Sequence, residues 1–337
     1  MIKVAILGYG GIARSHRKGY ETLAERGEPV KLVALCDINP KQFEKLITIN
    51  QGGEDSAPVI PYHTYTDLDE MLETEKPDVV DVCLPTYLHC QYVTMLLERG
   101  FNVQSEKPMG LNSEQCDRML QVWHNSGKQL MIGMCLRFEP QYLFLKKLVD
   151  SGEYGKVRAA YFSRTSGKPS WGFEGWYRDK ELSGGVALDL HIHDVDMVRF
   201  LFGEPEGVQS HTTDGSIPFI SVNTNFLYPD KFVTATAEWG MARSWRFHAE
   251  YRVCFEKASV VLEGGKVTVY PEEGEPFAAE YAPANRMAEE SLYLARTIMG
   301  DITNTINTPE DAAATVRLVE TIYKSAAANG ETVKWKK

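Results

Sequence analysis

The chain has 337 residues, with 36 Lys and Arg against 46 Asp and Glu and a net charge of −10. That length suits two domains and supplies a core without disulfides or metal, and 43% apolar with 24% charged residues excludes disordered, collagen-like and coiled-coil chains. An acidic chain without a basic cluster argues against a nucleic-acid partner, and its apolar runs stop well short of the ~20 residues that cross a bilayer.

The apolar run at the N-terminus is too short for a secretion signal, which points to a cytoplasmic protein with no membrane association. The six cysteines, Cys36, Cys83, Cys90, Cys116, Cys135 and Cys254, form no Cys-x-x-Cys pair and are expected as free thiols.

In chain order, strands are predicted over 2–7, 30–36, 79–84 and 102–104. Helices fall over 12–26, 42–49, 68–75, 89–99 and 113–126. Strands alternating with helices define an α/β fold with a parallel, doubly wound sheet. After a strand-like run over 129–136 the texture changes to two-residue alternation. Val233, Ala235, Ala237 and Trp239 fall on one face of a strand over 232–239, and Thr234, Thr236 and Glu238 on the other, as in a half-exposed antiparallel strand.

Further strands are expected over 157–164, 221–228, 245–256, 259–263 and 266–270, the last two joined by Gly264-Gly265 as a hairpin. Helices over 286–299 and 309–329 close the chain, the second opened by Thr308-Pro309-Glu310-Asp311 and stopped by Gly330. The expected division is therefore a dinucleotide-binding Rossmann domain over 1–128 and an α+β domain with an open, largely antiparallel sheet over 129–337.

Gly8-Tyr9-Gly10-Gly11-Ile12-Ala13 fits G-x-G-x-x-G/A, follows a strand and opens a helix. The first glycine permits the tight turn, the second lets a pyrophosphate approach the backbone, and the small third residue lets helix and strand pack closely. Asp37 ends the second strand run, about where the acid that holds a ribose hydroxyl pair is expected, roughly 20 residues beyond the motif. A carboxylate there repels a 2′-phosphate, which favours NAD over NADP, although a turn or cap residue would read the same.

Glu106-Lys107-Pro108 follows a strand, at the end where doubly wound sheets bind ligands. A lysine there can bind a substrate oxygen and stabilise a developing alkoxide, or be a surface lysine in a turn. Lys107–Pro108 is expected to be cis, since X–Pro bonds tolerate that isomer. In the run from Gly184 to Asp196, helical spacing puts Asp189, His193 and Asp196 on one face, where an acid beside an imidazole raises its proton affinity and fixes its orientation. A buried structural histidine is the competing reading. His191 and His193 lie about 200° apart on a helix and cannot chelate together, so no metal is expected.

Together these residues resemble the Gfo/Idh/MocA oxidoreductases, the family of glucose–fructose oxidoreductase and inositol dehydrogenase. The resemblance runs through Gly8 to Ala13 with His16, Leu84-Pro85-Thr86 with His89, Glu106-Lys107-Pro108, Arg137-Phe138-Glu139-Pro140 and the Gly184 to Asp196 stretch. It implies a catalytic set of Lys107, Asp189 and His193, and nicotinamide-side contacts from Pro85, Thr86 and His89.

It also implies a loop over substrate at Trp176-Tyr177-Arg178, with Arg178 as a hydroxyl or carboxylate contact, and a homodimer or homotetramer formed through the C-terminal sheet. Two positions depart from the pattern: Ala13 replaces the third glycine, and His191 stands where many relatives carry a smaller residue and could line the pocket. The activity implied is hydride transfer between nicotinamide and a secondary alcohol of a sugar, cyclitol or sugar derivative. The alternatives are a catalytically silent sugar or dinucleotide sensor, and a member whose tightly held cofactor serves transhydrogenation or glycosidic cleavage.

Overall fold

A computed structural model of the chain describes residues 1–44, 60–169, 172–214, 220–242 and 244–336. These residues form two compact units. Unit 1 takes its residues from Met1–Cys135 and Ala284–Ala313, with 172–176; unit 2 takes the remainder.

Unit 1 contains β1 (Ile2–Leu7), α1 (Gly11–Glu25), β2 (Val30–Cys36), β3 (His63–Tyr65), α2 (Leu68–Glu75), β4 (Val79–Val82), α3 (Thr86–Glu98), β5 (Asn102–Glu106), α4 (Ser113–Ser126) and β6 (Leu130–Gly133). The six strands are parallel, in the order β3-β2-β1-β4-β5-β6. The order reverses between β1 and β4, which is where such sheets open a ligand crevice beyond their carboxyl ends. Nearly every residue of β1, β4 and β6 is buried, as expected of parallel strands covered on both faces. The predicted helix over 42–49 is replaced, where described, by a 3₁₀ turn at Pro40–Phe43 capped by Asn39; residues 45–49 lie outside the described residues.

The expected division after residue 128 falls one strand short, because β6 pairs with β5 and completes the parallel sheet. A later helix also belongs to unit 1. α1 buries Ala13, His16, Gly19, Tyr20 and Leu23 on one stripe, and the helix Arg286–Met299 lies against it. At Gly19 an added Cβ would sit 3.0 Å from the backbone of Met287 and Ala288, so the close approach of the two helices depends on that missing side chain.

Unit 2 contains α5 (Pro140–Ser151), β7 (Val157–Gly167), α6 (Lys180–Ser183), α7 (Ile192–Phe202), β8 (Gly207–Thr213), β9 (Ser221–Leu227), β10 (Phe232–Met241), β11 (His248–Phe255), β12 (Ala258–Glu263), β13 (Lys266–Pro271) and β14 (Phe277–Ala278). The chain closes with α8, the Arg286–Met299 helix of unit 1, then α9 (Pro309–Ala327) and β15 (Val333–Lys334). The nine-stranded sheet runs β14-β13-β12-β11-β7-β10-β9-β8-β15. Every pairing is antiparallel except β10 with β7.

The alternation read from β10 is present: Val233, Ala235, Ala237 and Trp239 are buried, while their neighbours are half-buried or exposed. The outer face carries aromatic side chains, with Phe232 half exposed beside Tyr161 and the Arg252 guanidinium 4.4 Å over the Tyr161 ring. Thr308 caps α9 by accepting from the Asp311 amide. The six cysteines are free thiols, and no described helix is long and apolar enough to cross a membrane.

Gly19→Val should force α1 and α8 apart and destabilise the chain by about 1–3 kcal/mol, read as a lower urea midpoint. An unchanged midpoint would show that the contact is not tight.

Candidate active site

The carboxyl ends of the central strands gather most of the predicted cofactor residues. Gly8 leaves β1 with φ +88°, and a Cβ there would lie 2.9 Å from both the Cys83 carbonyl oxygen and the Leu84 side chain, so only glycine lets this turn pass the end of β4. Gly10 precedes α1 with open space around the position of a Cβ. Gly11 and Ile12 follow half-buried, and Ala13 is fully buried. The first turn of α1 has no capping side chain and no acid, which leaves its amides and positive end suited to a phosphate. The chemistry of this turn fits a dinucleotide pyrophosphate.

Asp37, just past β2, accepts from the Tyr9 amide at 2.8 Å and from the Asn39 amide at 2.8 Å. It braces the glycine turn and remains half-exposed, with lone pairs left for a diol. Pro85 and Thr86 open α3. His89 is buried, with Nδ1 2.7 Å from the Pro108 carbonyl and Nε2 2.8 Å from that of Leu84. Burial holds its pKa below the usual imidazole value against the pull of those carbonyls. Its ring lies between the turn after β4 and the Lys107–Pro108 peptide, which is cis as expected, and in its neutral form it donates to one of the two carbonyls. Lys107 itself is half-buried.

Beneath these turns lies a group of buried polar side chains that the sequence did not reveal as a unit. His16 Nδ1 lies 2.8 Å from Asp81 Oδ2 and its Nε2 2.8 Å from Glu106 Oε1, between two carboxylates. Both contacts can be donated together only by an imidazolium. Burial works against that charge, and Asp81 overrides it, so the His16 pKa lies well above its ordinary value. Burial likewise pushes Glu106 up, and the His16 hydrogen bond more than reverses it. Tyr20 donates to Asp81 at 2.8 Å. Burial, with both carboxylates nearby, pushes Glu290 of α8 well above the usual carboxylate range.

Among the described residues, His16, Asp81 and Cys83 have metal-ligand spacing. Their polar atoms are committed to one another and to Glu106, and burial pushes the Cys83 thiol up to about 12.

In unit 2, Asp189 lies in a π-helical turn, Ala187–His191, that runs directly into α7. The Tyr323 hydroxyl holds the start of this turn, donating to the Gly184 carbonyl and accepting from the Ala187 amide at 3.2 Å. Single π turns within helices often mark functional sites. Asp189 and His193 are half-buried.

Asp196, which shares their helical spacing, is buried and gripped at both oxygens by Arg137, at 2.7 and 2.8 Å. Asp194 is gripped likewise by Arg164, at 2.9 and 3.1 Å. These two arginines hold α7 from different sides. His191 does not line a pocket: it is fully buried, bonded to Thr224 at 3.1 Å, and burial drives its pKa down to about 3. Arg178 is exposed in the turn Phe173–Arg178, and Tyr177 packs edge-on against Trp239.

Comparison with known proteins agrees with this architecture. Residues 2–134 match the model of the Gfo/Idh/MocA oxidoreductase family with an NAD-binding Rossmann fold, and residues 142–261 match the Gfo/Idh/MocA C-terminal domain. The chain belongs to the Gfo/Idh/MocA oxidoreductase family.

It is 31% identical over 208 residues to 2,7-anhydro-N-acetylneuraminate hydratase of Mediterraneibacter gnavus, covering 59% of this chain and 54% of that protein. It is 33% identical over 217 residues to D-glucoside 3-dehydrogenase of Escherichia coli, covering 63% of this chain and 57% of that one. The chain thus spans little more than half the length of these relatives. In fold it is similar to levoglucosan dehydrogenase in complex with NADH, with TM-score 0.83, 16% identity and coverage of 99% and 98% of the two chains.

The His16 charge gives a pH dependence with a definite sign. Asp81 and Cys83 of the β4 end, Tyr20 of α1, Glu106 of β5 and Glu290 of α8 surround it. A raised folded pKa means that its stabilisation is complete below the unfolded pKa of about 6.5 and is lost as pH rises through the folded pKa. The stability advantage of the wild type over His16→Gln should therefore shrink from neutral into alkaline solution. An advantage that is constant or grows across that range would contradict the assignment.

Proposed function

We propose that this chain catalyses NAD-dependent oxidation, or the reverse reduction, at a secondary alcohol of a sugar, cyclitol or related polyol. The observation that carries the reading is the placement of the glycine turn, Asp37, Pro85-Thr86 and Glu106-Lys107 at the carboxyl ends of β1, β2, β4 and β5 in one parallel sheet. The dehydrogenase names among the relatives support it.

Gly8, Gly10, Gly11, Ile12 and Ala13 would hold the dinucleotide pyrophosphate, Asp37 the ribose diol, and Pro85, Thr86, Glu106 and Lys107 the nicotinamide end, with His89 bracing that turn. When bound, nicotinamide supplies the hydride acceptor at C4. Lys107 would stabilise negative charge on the substrate oxygen, His193 accept the hydroxyl proton, and Asp189 orient His193 and bind a neighbouring hydroxyl. Arg178 would contact a further hydroxyl or a carboxylate. Asp37 disfavours a 2′-phosphate, yet Arg14, whose guanidinium stacks 4.9 Å over Tyr9, brings a cation to the same turn, so NADP⁺ belongs in the assay. The aromatic outer face of the unit 2 sheet is the surface proposed for a homodimer or homotetramer.

NADH formation over a panel of inositols, aldoses, ketoses and amino sugars should show turnover with NAD⁺. Lys107→Ala and His193→Ala should each lose about 10²–10⁴-fold in kcat, and full turnover in both would contradict the reading.

The hydratase among the relatives favours a second reading, in which the cofactor is reduced and reoxidised within one turnover. That reading predicts product formation without net NADH, again abolished by Lys107→Ala; net NADH matching product would contradict it.

A further inference from the structure

We infer that His16 is a positioning residue for Lys107, acting through Glu106 as a buried ionic clamp between α1 and the ends of β4 and β5. The inference rests on the reading of Lys107 as catalytic.

Glu106 is the last residue of β5, and its two oxygens face different ways. Oε1 accepts from His16 Nε2 at 2.8 Å, and Oε2 accepts from the Lys107 backbone amide at 3.1 Å. The carboxylate therefore fixes the peptide that starts the lysine turn, and in its ionised form it accepts at both oxygens with no proton of its own to place. Inside a protein an ionised carboxylate requires a paired charge, and His16 faces it with no solvent-exposed surface. The other ring nitrogen is anchored on Asp81, which stands directly across from Gln104 in the β4–β5 ladder. One imidazolium thus joins neighbouring strands at the end where the lysine emerges.

Position along α1 adds a second consequence. His16 is on the same helix as Gly11, about one and a half turns from its start. The element whose first turn suits a pyrophosphate is thus also the element that clamps Glu106. A histidine present only to fill the core would need neither two carboxylate partners nor a charge, and its loss would lower stability without a selective effect on turnover. The clamp makes a different prediction, because a misplacement of about 1 Å at a reacting group can cost 10²-fold in rate.

The test combines His16→Gln, Glu106→Gln and the double variant. His16→Gln should lower kcat about 10- to 100-fold while the Kd for NAD⁺, read by fluorescence, moves less than about 3-fold. The two single effects on kcat should be non-additive, with the double variant no worse than the poorer single one. Multiplicative losses, or a His16→Gln enzyme with full kcat and only a lower melting temperature, would overturn the inference.

Should His16→Gln fail to fold, nitrogen-15 NMR of the histidine-labelled wild type decides the matter. Both His16 ring nitrogens should stay protonated at pH 8, and an unprotonated one there would overturn the clamp. Lys107→Ala separates this inference from the functional reading. Full turnover in Lys107→Ala would remove the catalytic role on which the inference rests. Loss of turnover there beside a fully active His16→Gln enzyme would overturn the inference alone.

Discussion

A single positive charge sealed among carboxylates sets the arrangement of unit 1. His16 can donate to Asp81 and Glu106 together only as an imidazolium. Removing one member of such a group would leave a buried charge uncompensated, which is far more costly than the group is stabilising. The constraint is therefore one of position. α1 must stay where His16 reaches both strands, and α8, which carries the buried Glu290, must approach α1 closely at Gly19. The glycine turn before α1 and the lysine turn after β5 inherit their places from that packing.

Unit 2 solves the same problem with arginines. Asp194 and Asp196, two residues apart on α7, are each held at both oxygens by a buried guanidinium. Such forked pairs carry orientation as well as charge. With α7 held from different sides by Arg137 and Arg164, and the preceding π turn held by Tyr323, Asp189 and His193 are left as the half-buried polar groups of the segment. Acids close together in sequence thus play different parts, and burial with its partners decides which.

The legible parts of the sequence were those governed by local periodicity. The β10 alternation, the α8 boundaries, the Thr308 cap and the glycine turn all follow from spacing within a few residues. β8 escaped notice because its strand character comes from β9 and β15, with Val208 its single strongly apolar buried residue. α5 was missed, and the division after residue 128 was misplaced because β6 pairs with the strand before it, β5, across α4. Asp81 was visible only as an acid interrupting an apolar strand; its meaning depends on His16, 65 residues away. Helical spacing groups Asp189, His193 and Asp196, but it does not show which of these acids a buried arginine holds.

In the proposed function, hydride leaves a substrate carbinol carbon for nicotinamide C4 while His193 takes the hydroxyl proton. The most direct test of this step is a single turnover of the NAD⁺-loaded enzyme with a polyol deuterated at that carbon, followed by mass analysis of the nicotinamide. The account predicts deuterium on C4 in the wild type and its near absence in His193→Ala. Deuterium that remains on the substrate or passes to water in the wild type, with product formed, would contradict it.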